Sequence, residues 1–179
     1  MSNQFEIRKA ILGDESSIAK VHIRSWQEAY RGLLPQNYLD NLCAKLNERT
    51  QMWINAIKNP QRWTWVATID NEIVGFIIFG PPRDQNRDGF IELGAIYLLE
   101  EYKNKKIGIS LLMTGFNYFK SQGYDKCYCW VLKGNPTINF YEKTGALFSG
   151  QSKFDEIGGE KFQELAYDWS SMSKLNGSK

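Results

Sequence analysis

The amino-acid sequence predicts a mixed α/β fold, with one twisted, mostly antiparallel sheet and helices on both of its faces. Three observations predict it. Residues 63–67 and 73–79 are β-branched and aromatic runs joined by the turn dipeptide Asp70-Asn71, which reads as a hairpin. Residues 90–132 read as strand, helix, strand, and such a unit implies parallel strands with a right-handed crossover. Residues 146–154 and 162–169 form a second hairpin pattern around Gly158-Gly159.

The elements follow in chain order. Phe5, Glu6, Ile7 and Arg8 alternate as a first strand. Asp14 stands where a helix N-cap is expected, and Ile18, Val21, His22, Ser25, Trp26 and Ala29 then recur at helical spacing towards a stop near Gly32. Pro35 opens a second helical stretch with Tyr38, Leu39 and Leu42 on one face. A third runs over about residues 47–58 with Met52, Trp53, Ala56 and Ile57, and Asn59-Pro60 breaks it. After the hairpin, residues 80–89 are a charged, turn-rich loop. A strand over 90–98 leads to a helix over about 107–122, with Ile109, Leu112, Phe116 and Phe119 on one face. Residues 126–132 are a strand, and 136–143 a short helix ended by Thr144-Gly145.

The 179 residues fit one domain spanning 1–179. A hydrophobic content of 42% and a charged content of 23% supply a core and argue against disorder. The net charge of +2 gives no global field for nucleic acid or membrane. Cys43, Cys127 and Cys129 are odd in number and lack framework spacing, which suits a reducing compartment. The first ten residues are polar, and no apolar run approaches the ~20 residues of a membrane span. A cytoplasmic protein is expected.

The chemistry concentrates between residues 97 and 110. Tyr97 and Leu98 end a strand, a basic loop carries Lys103, Asn104, Lys105 and Lys106, and Ile107, Gly108, Ile109 and Ser110 begin a helix. Helix N-termini expose free amide hydrogens and partial positive charge, and so hold anions. Gly108 and Ser110 leave room for a ligand near the backbone. A phosphate-bearing ligand fits, and so does a solvated basic loop that only caps the helix. Neither the GxxxxGK[ST] nor the GxGxxG spacing occurs there.

Residues 97–108 resemble the acetyl-CoA signature of the GNAT N-acetyltransferase superfamily, whose pattern after a strand is Gln/Arg-x-x-Gly-x-Gly/Ala. Lys103 stands at the first position, Lys106 at the first Gly, and Gly108 keeps the last. Asn104 tolerates a left-handed backbone better than most residues. The run from Asn135 through Phe140, Tyr141, Glu142, Lys143 and Gly145 to Ala146 resembles the family's late Asn…Phe-Tyr-Glu-Lys-x-Gly-Phe segment, with Ala146 for Phe. The resemblance spans roughly residues 5–168.

It implies a coenzyme lodged between the splayed strands 90–98 and 126–132, with acetyl-CoA as co-substrate. Backbone groups of Tyr97 and Leu98 would bond its arm and polarise the thioester carbonyl, and Asn135 would hydrogen-bond that arm. Direct attack by an amine would follow, with Tyr141 as general acid, since a phenol of pKa about 10 stays protonated. Glu92, on the strand, is the candidate base, because a lysine-like amine with a pKa of about 10.4 must lose a proton; a surface partner on the sheet is the alternative. The acceptor would be a small-molecule or peptide amine. A homodimer through the late strands is left open, because some members pair so.

Other residues invite blander readings. His22 shares a helix face with Ile18 and Trp26, which suits packing. Cys127 and Cys129 share one strand face, and two sulfurs without further ligands make no metal site. Trp26, Tyr30 and Trp53 suit the core better than an acceptor wall. An acyl-CoA sensor without turnover is the rival reading, and nucleic-acid binding through Lys103–Lys106 is disfavoured by the flat charge.

Overall fold

The computed structural model describes residues 4–173. Residues 1–3 and 174–179, the ends of the single domain expected from the sequence, lie outside the described residues. Strand β1 (Glu6–Lys9) is followed by helices α1 (Glu15–Ala29), α2 (Gln36–Asp40) and α3 (Leu46–Lys58), with a 3₁₀ turn at Asn41–Lys45. Strands β2 (Trp63–Ile69), β3 (Glu72–Gly80) and β4 (Phe90–Leu98) lead through a 3₁₀ turn at Glu100–Tyr102 to α4 (Ile107–Ser121). Then come β5 (Lys126–Leu132), α5 (Thr137–Lys143), β6 (Leu147–Ile157) and β7 (Glu160–Trp169).

The seven strands lie in the order β1-β2-β3-β4-β5-β7-β6. Only β4 and β5 run parallel, and the other neighbours are antiparallel. The β2–β3 turn places Asp70 and Asn71 at positive φ (50° and 66°), the conformation that hairpin turns require and Asn and Asp tolerate.

Alternation along the strands supplies a core to each face. Val66 and Phe76 pack with Ile18, Ala19 and Trp53 from α1 and α3. Trp65, Ala67, Ile77 and Phe79 pack with Leu111, Leu112, Phe116 and Phe119 from α4. Full burial of each Val, Leu, Ile or Phe among them contributes about 1.5–3 kcal/mol. Helix α4 comes close because of Gly115, where an added Cβ would lie 2.2 Å from the Phe79 ring. Cys127 and Cys129 belong to this second core.

Asp14 departs from its expected role. It occupies the position before α1 but makes no side-chain cap. Its carboxylate instead receives the Arg8 guanidinium at 2.7 and 2.9 Å and the Ile11 amide at 2.9 Å. An available guanidinium attracts the carboxylate more strongly than an exposed amide, and the contact ties β1 to α1.

The feature that makes a site is the divergence of β4 from β5. Their pairing runs from Phe90↔Lys126 to Leu93↔Cys129 and stops, although both strands continue. On the other side of β4, Ile78 pairs with Ala95 and Phe79 with Leu93, so Gly94 faces no partner. That is a β-bulge, which bends the strand that carries it. From Gly94 onwards β4 follows β3 and leaves β5.

Candidate active site

The divergence opens a cleft of about 530 Å³ between the start of α4 and α5. Ile96 and Leu98 from β4, Lys103, Asn104 and Lys106 from the basic loop, and Gly108 and Ile109 from α4 line one side. Pro136, Thr137, Asn139, Phe140 and Lys143 line the other. The loop enters α4 through two left-handed residues, Asn104 (φ 61°) and Lys106 (φ 64°). Lys106 is the N-cap residue, and no side chain caps the helix. The first amide hydrogens of α4 therefore lack intrahelical partners at the mouth of the cleft. Dipole, amides and the Lys103, Lys106 and Lys143 charges together suit a pyrophosphate.

Other expected residues lie differently. The side chain of Ile107 is in the core, 1% exposed, so only its backbone faces the loop. The Lys105 ammonium sits 5.2 Å from the centre of the Tyr102 ring. Ser110 accepts the Thr114 hydroxyl at 2.9 Å with its carbonyl and donates its amide to Lys106 at 3.0 Å. Lys103 pairs with Glu100 on the rim.

A second, smaller chamber of about 50 Å³ lies in the gap itself. Among its lining residues are Gly94 and Tyr97 of β4, Trp130 of β5, Asn135, Tyr141 of α5, and Glu164 of β7. Ile96 and Thr137 line both cavities, so the two adjoin. The Tyr141 ring is 6% exposed and packs edge-on against Trp169. Among the described residues its hydroxyl has no hydrogen-bond partner. Burial raises its pKa well above that of an ordinary phenol, which keeps the proton on oxygen. Tyr97 and Tyr30 join hydroxyl to hydroxyl at 2.9 Å on the chamber wall. Asn135 is buried, and its side-chain oxygen accepts the Thr137 amide at 2.9 Å, anchoring α5.

Glu92 lines neither cavity. Its carboxylate, 2% exposed, is held by the Arg83 guanidinium, with Nε at 2.9 Å from Oε1. It also accepts the Arg83 amide at 3.0 Å and the Tyr128 hydroxyl at 3.0 Å. The expected base thus meets a carboxylate whose lone pairs are engaged, in the part of β4 still paired to β5. The nearby carboxylate and burial push the Tyr128 hydroxyl upward, with burial the larger cause.

His22 is buried among Trp26, Trp53, Phe76 and Tyr97. Burial, reinforced by Arg49, lowers its pKa to about 3. It accepts the Trp53 indole N–H at 3.3 Å and so packs as a neutral ring. Among the described residues no cluster of three His, Cys, Asp or Glu side chains is placed to hold a metal ion.

Sequence reasoning gave no role to Ile96, Pro136, Thr137, Asn139, Phe140 and Lys143 in the cleft or to Trp130 and Glu164 in the chamber, and it read Tyr30 as core rather than as an acceptor wall. Apart from Ile96, the first group lies inside the recognised 135–146 segment, in which only Asn135 and Tyr141 were given roles. The second comes from elements far apart in the chain and had no local signal.

An open sheet split at a bulge, with an uncapped helix facing the split, is an arrangement that can hold an anionic, amide-bearing coenzyme. Residues 23–146 match the model of the Acetyltransferase (GNAT) family, and the chain belongs to that family: it is an N-acetyltransferase. It is 33% identical over 170 residues to the uncharacterized N-acetyltransferase YuaI of Bacillus subtilis strain 168, covering 94% of this chain and 95% of that protein. It is 27% identical over 168 residues to a spermidine N(1)-acetyltransferase of Thermoplasma acidophilum, covering 88% and 98%. The crystal structure of the PaiA N-acetyltransferase of T. acidophilum in complex with coenzyme A superposes with a TM-score of 0.70 at 26% identity, over 90% of this chain and 98% of that one.

Proposed function

We propose that the protein transfers an acetyl group from acetyl-CoA to a primary amine by direct attack in a ternary complex. The observation that carries this reading is the bulge-driven split between β4 and β5, with the uncapped start of α4 and Tyr141 at its two ends. In this reading Lys103, Lys106 and the first amides of α4 hold the pyrophosphate, and Lys143 adds charge from α5. The edge of β4 beyond Gly94, which lines the cleft at Ile96 and Leu98 and the chamber at Tyr97, offers backbone groups to the amides of the arm. A backbone N–H there polarises the thioester carbonyl as negative charge develops on its oxygen. The amine attacks the carbonyl carbon, the carbon–sulfur bond breaks, and the Tyr141 hydroxyl gives its proton to the departing sulfur.

The acceptor is an aliphatic amine small enough to present its amino group to the chamber. The T. acidophilum relative described as a spermidine acetyltransferase supports that class. The free thiols of Cys43, Cys127 and Cys129 suit a reducing compartment such as the cytoplasm.

Two measurements test the reading. Calorimetric titration with CoA is expected to show one site per chain. Release of free thiol from acetyl-CoA is expected with at least one member of a panel containing spermidine, shorter diamines, amino sugars and a peptide N-terminus. Absence of CoA binding overturns the reading. CoA binding without thiol release from any amine favours the acyl-CoA sensor instead.

A further inference from the structure

The acetyl-transfer reading leaves one proton without a destination. The incoming amine is an ammonium near neutrality and must lose a proton before it attacks. Glu92 is closed by Arg83 and Tyr128. Among the described residues one carboxylate lines the chamber that Tyr141 faces, that of Glu164.

We infer that Glu164 takes the proton from the acceptor's ammonium, and so is the general base of the transfer; this rests on the acetyl-transfer reading. The topology puts it there. β7 lies next to β5, and Glu164 pairs with Leu132, past the point where β4 has left. A side chain on the second strand beyond the split thereby reaches a gap opened by the first. Glu164 and Tyr141 line one chamber from opposite elements, β7 and α5, and that chamber adjoins the coenzyme cleft at Ile96 and Thr137.

The surroundings suit a base rather than a structural ion pair. The Glu164 side chain is 18% exposed, and its ion partner among the described residues is Lys153, at 3.7 Å. That ammonium also lies 4.1 Å from the centre of the Trp130 ring, so it is shared. Burial raises the Glu164 pKa from the ordinary glutamate value, and Asp155 adds to this. Lys153 and Arg83 oppose it. Tyr30, Tyr97, Asn135 and Tyr141 line the same chamber as neutral groups from the end of α1, β4, the turn before α5 and α5. A raised carboxylate pKa brings proton affinity closer to working pH, which strengthens a base.

The proton balance closes. The ammonium gives one proton to the Glu164 carboxylate, and the neutral nitrogen forms the new bond to the acetyl carbon. The carbon–sulfur bond breaks, and sulfur receives the Tyr141 proton. The second nitrogen proton returns to the Tyr141 oxygen through water, and Glu164 releases its proton to solvent. The products are the amide, CoA thiol and one free proton.

The test compares wild type, Glu164→Gln and Glu164→Asp. Thiol release is followed from pH 5.5 to 9 with the best amine of the panel, CoA binding by calorimetry, and the Glu164 carboxyl carbon by ¹³C NMR. Glu164→Gln is expected to lower kcat/KM about 100-fold and to abolish the acidic limb of the profile. CoA affinity is expected to change less than twofold, and Glu164→Asp to recover part of the rate with the limb restored. The NMR titration of wild type is expected to have a midpoint above that of an exposed glutamate, a readout that needs no acceptor. An acidic limb that survives in Glu164→Gln, or a carboxyl that titrates like an exposed one, overturns the assignment alone. CoA binding without thiol release in wild type overturns the acetyl-transfer reading and the assignment with it.

Discussion

The side-chain oxygen of Asn135 accepts the Thr137 amide at 2.9 Å, and this bond fixes the first turn of the helix that carries Tyr141. The residue expected to hold the coenzyme arm thus holds the proposed acid in place. Because the Tyr141 ring packs against Trp169, phenylalanine preserves the contact and removes only the hydroxyl. Tyr141→Phe is expected to lower kcat on the order of 100-fold. CoA affinity by calorimetry and the unfolding midpoint should stay at wild-type values. Unchanged turnover would remove Tyr141 from the mechanism.

Gly108 faces the cleft. An added Cβ would sit 3.7 Å from the Phe140 ring, an ordinary contact, so the free protein has room for it. Alanine also favours helix by up to about 1 kcal/mol over glycine. Gly108→Ala should therefore keep or raise the melting temperature while weakening CoA binding more than tenfold. Full CoA affinity in this variant would show that the ligand does not approach α4 at Gly108.

Glu92→Gln separates a structural carboxylate from a catalytic one. The substitution weakens charge-assisted bonds to Arg83 and leaves a buried amide facing Tyr128. A loss of about 1–3 kcal/mol in denaturant unfolding is expected. The acidic limb of the rate profile should persist. Its disappearance would return the base to Glu92.

His22 makes stability depend on pH. Its folded pKa, about 3, lies below the ordinary value of 6.5, so the unfolded chain binds the proton more readily. This group contributes nothing above pH 6.5, and stability falls as pH drops from there towards 3. The slope is about 1.4 kcal/mol per pH unit. Urea midpoints at pH 7 and pH 5 should differ more for wild type than for His22→Gln. Equal differences would mean that the ring is protonated in the folded state.

Much of this architecture was legible in the sequence, and the reasons are local. The strands over 90–98 and 126–132 and the start of α4 at Ile107 lie where the sequence places them, because Tyr97–Gly108 changes composition at each boundary. Asn104 adopts the left-handed backbone that its residue type tolerates. The chamber was not legible. Tyr30, Gly94 and Trp130 come from three separate elements, and Glu164 joins them because β7 inserts between β5 and β6; strand order leaves no trace in a strand's own pattern. The closure of Glu92 was hidden for a similar reason: Arg83 sits in the aperiodic 81–89 connection, where neither spacing nor burial can be inferred. Asp14 looked like a cap because its position is right, but Arg8, six residues earlier on β1, competes for it.

The extra residue at Gly94 leaves the two halves of the sheet, β1–β4 and β5–β7–β6, joined by hydrogen bonds over only the short stretch from Phe90↔Lys126 to Leu93↔Cys129. In the proposed reading, an amide-bearing arm laid in the gap would work as a missing rung, stitching the halves together along the length where the strands themselves are unpaired. Loading with the donor molecule should therefore slow amide hydrogen exchange in β4 and β5 together, and turn two loosely coupled plates into one stiff body before the acceptor arrives.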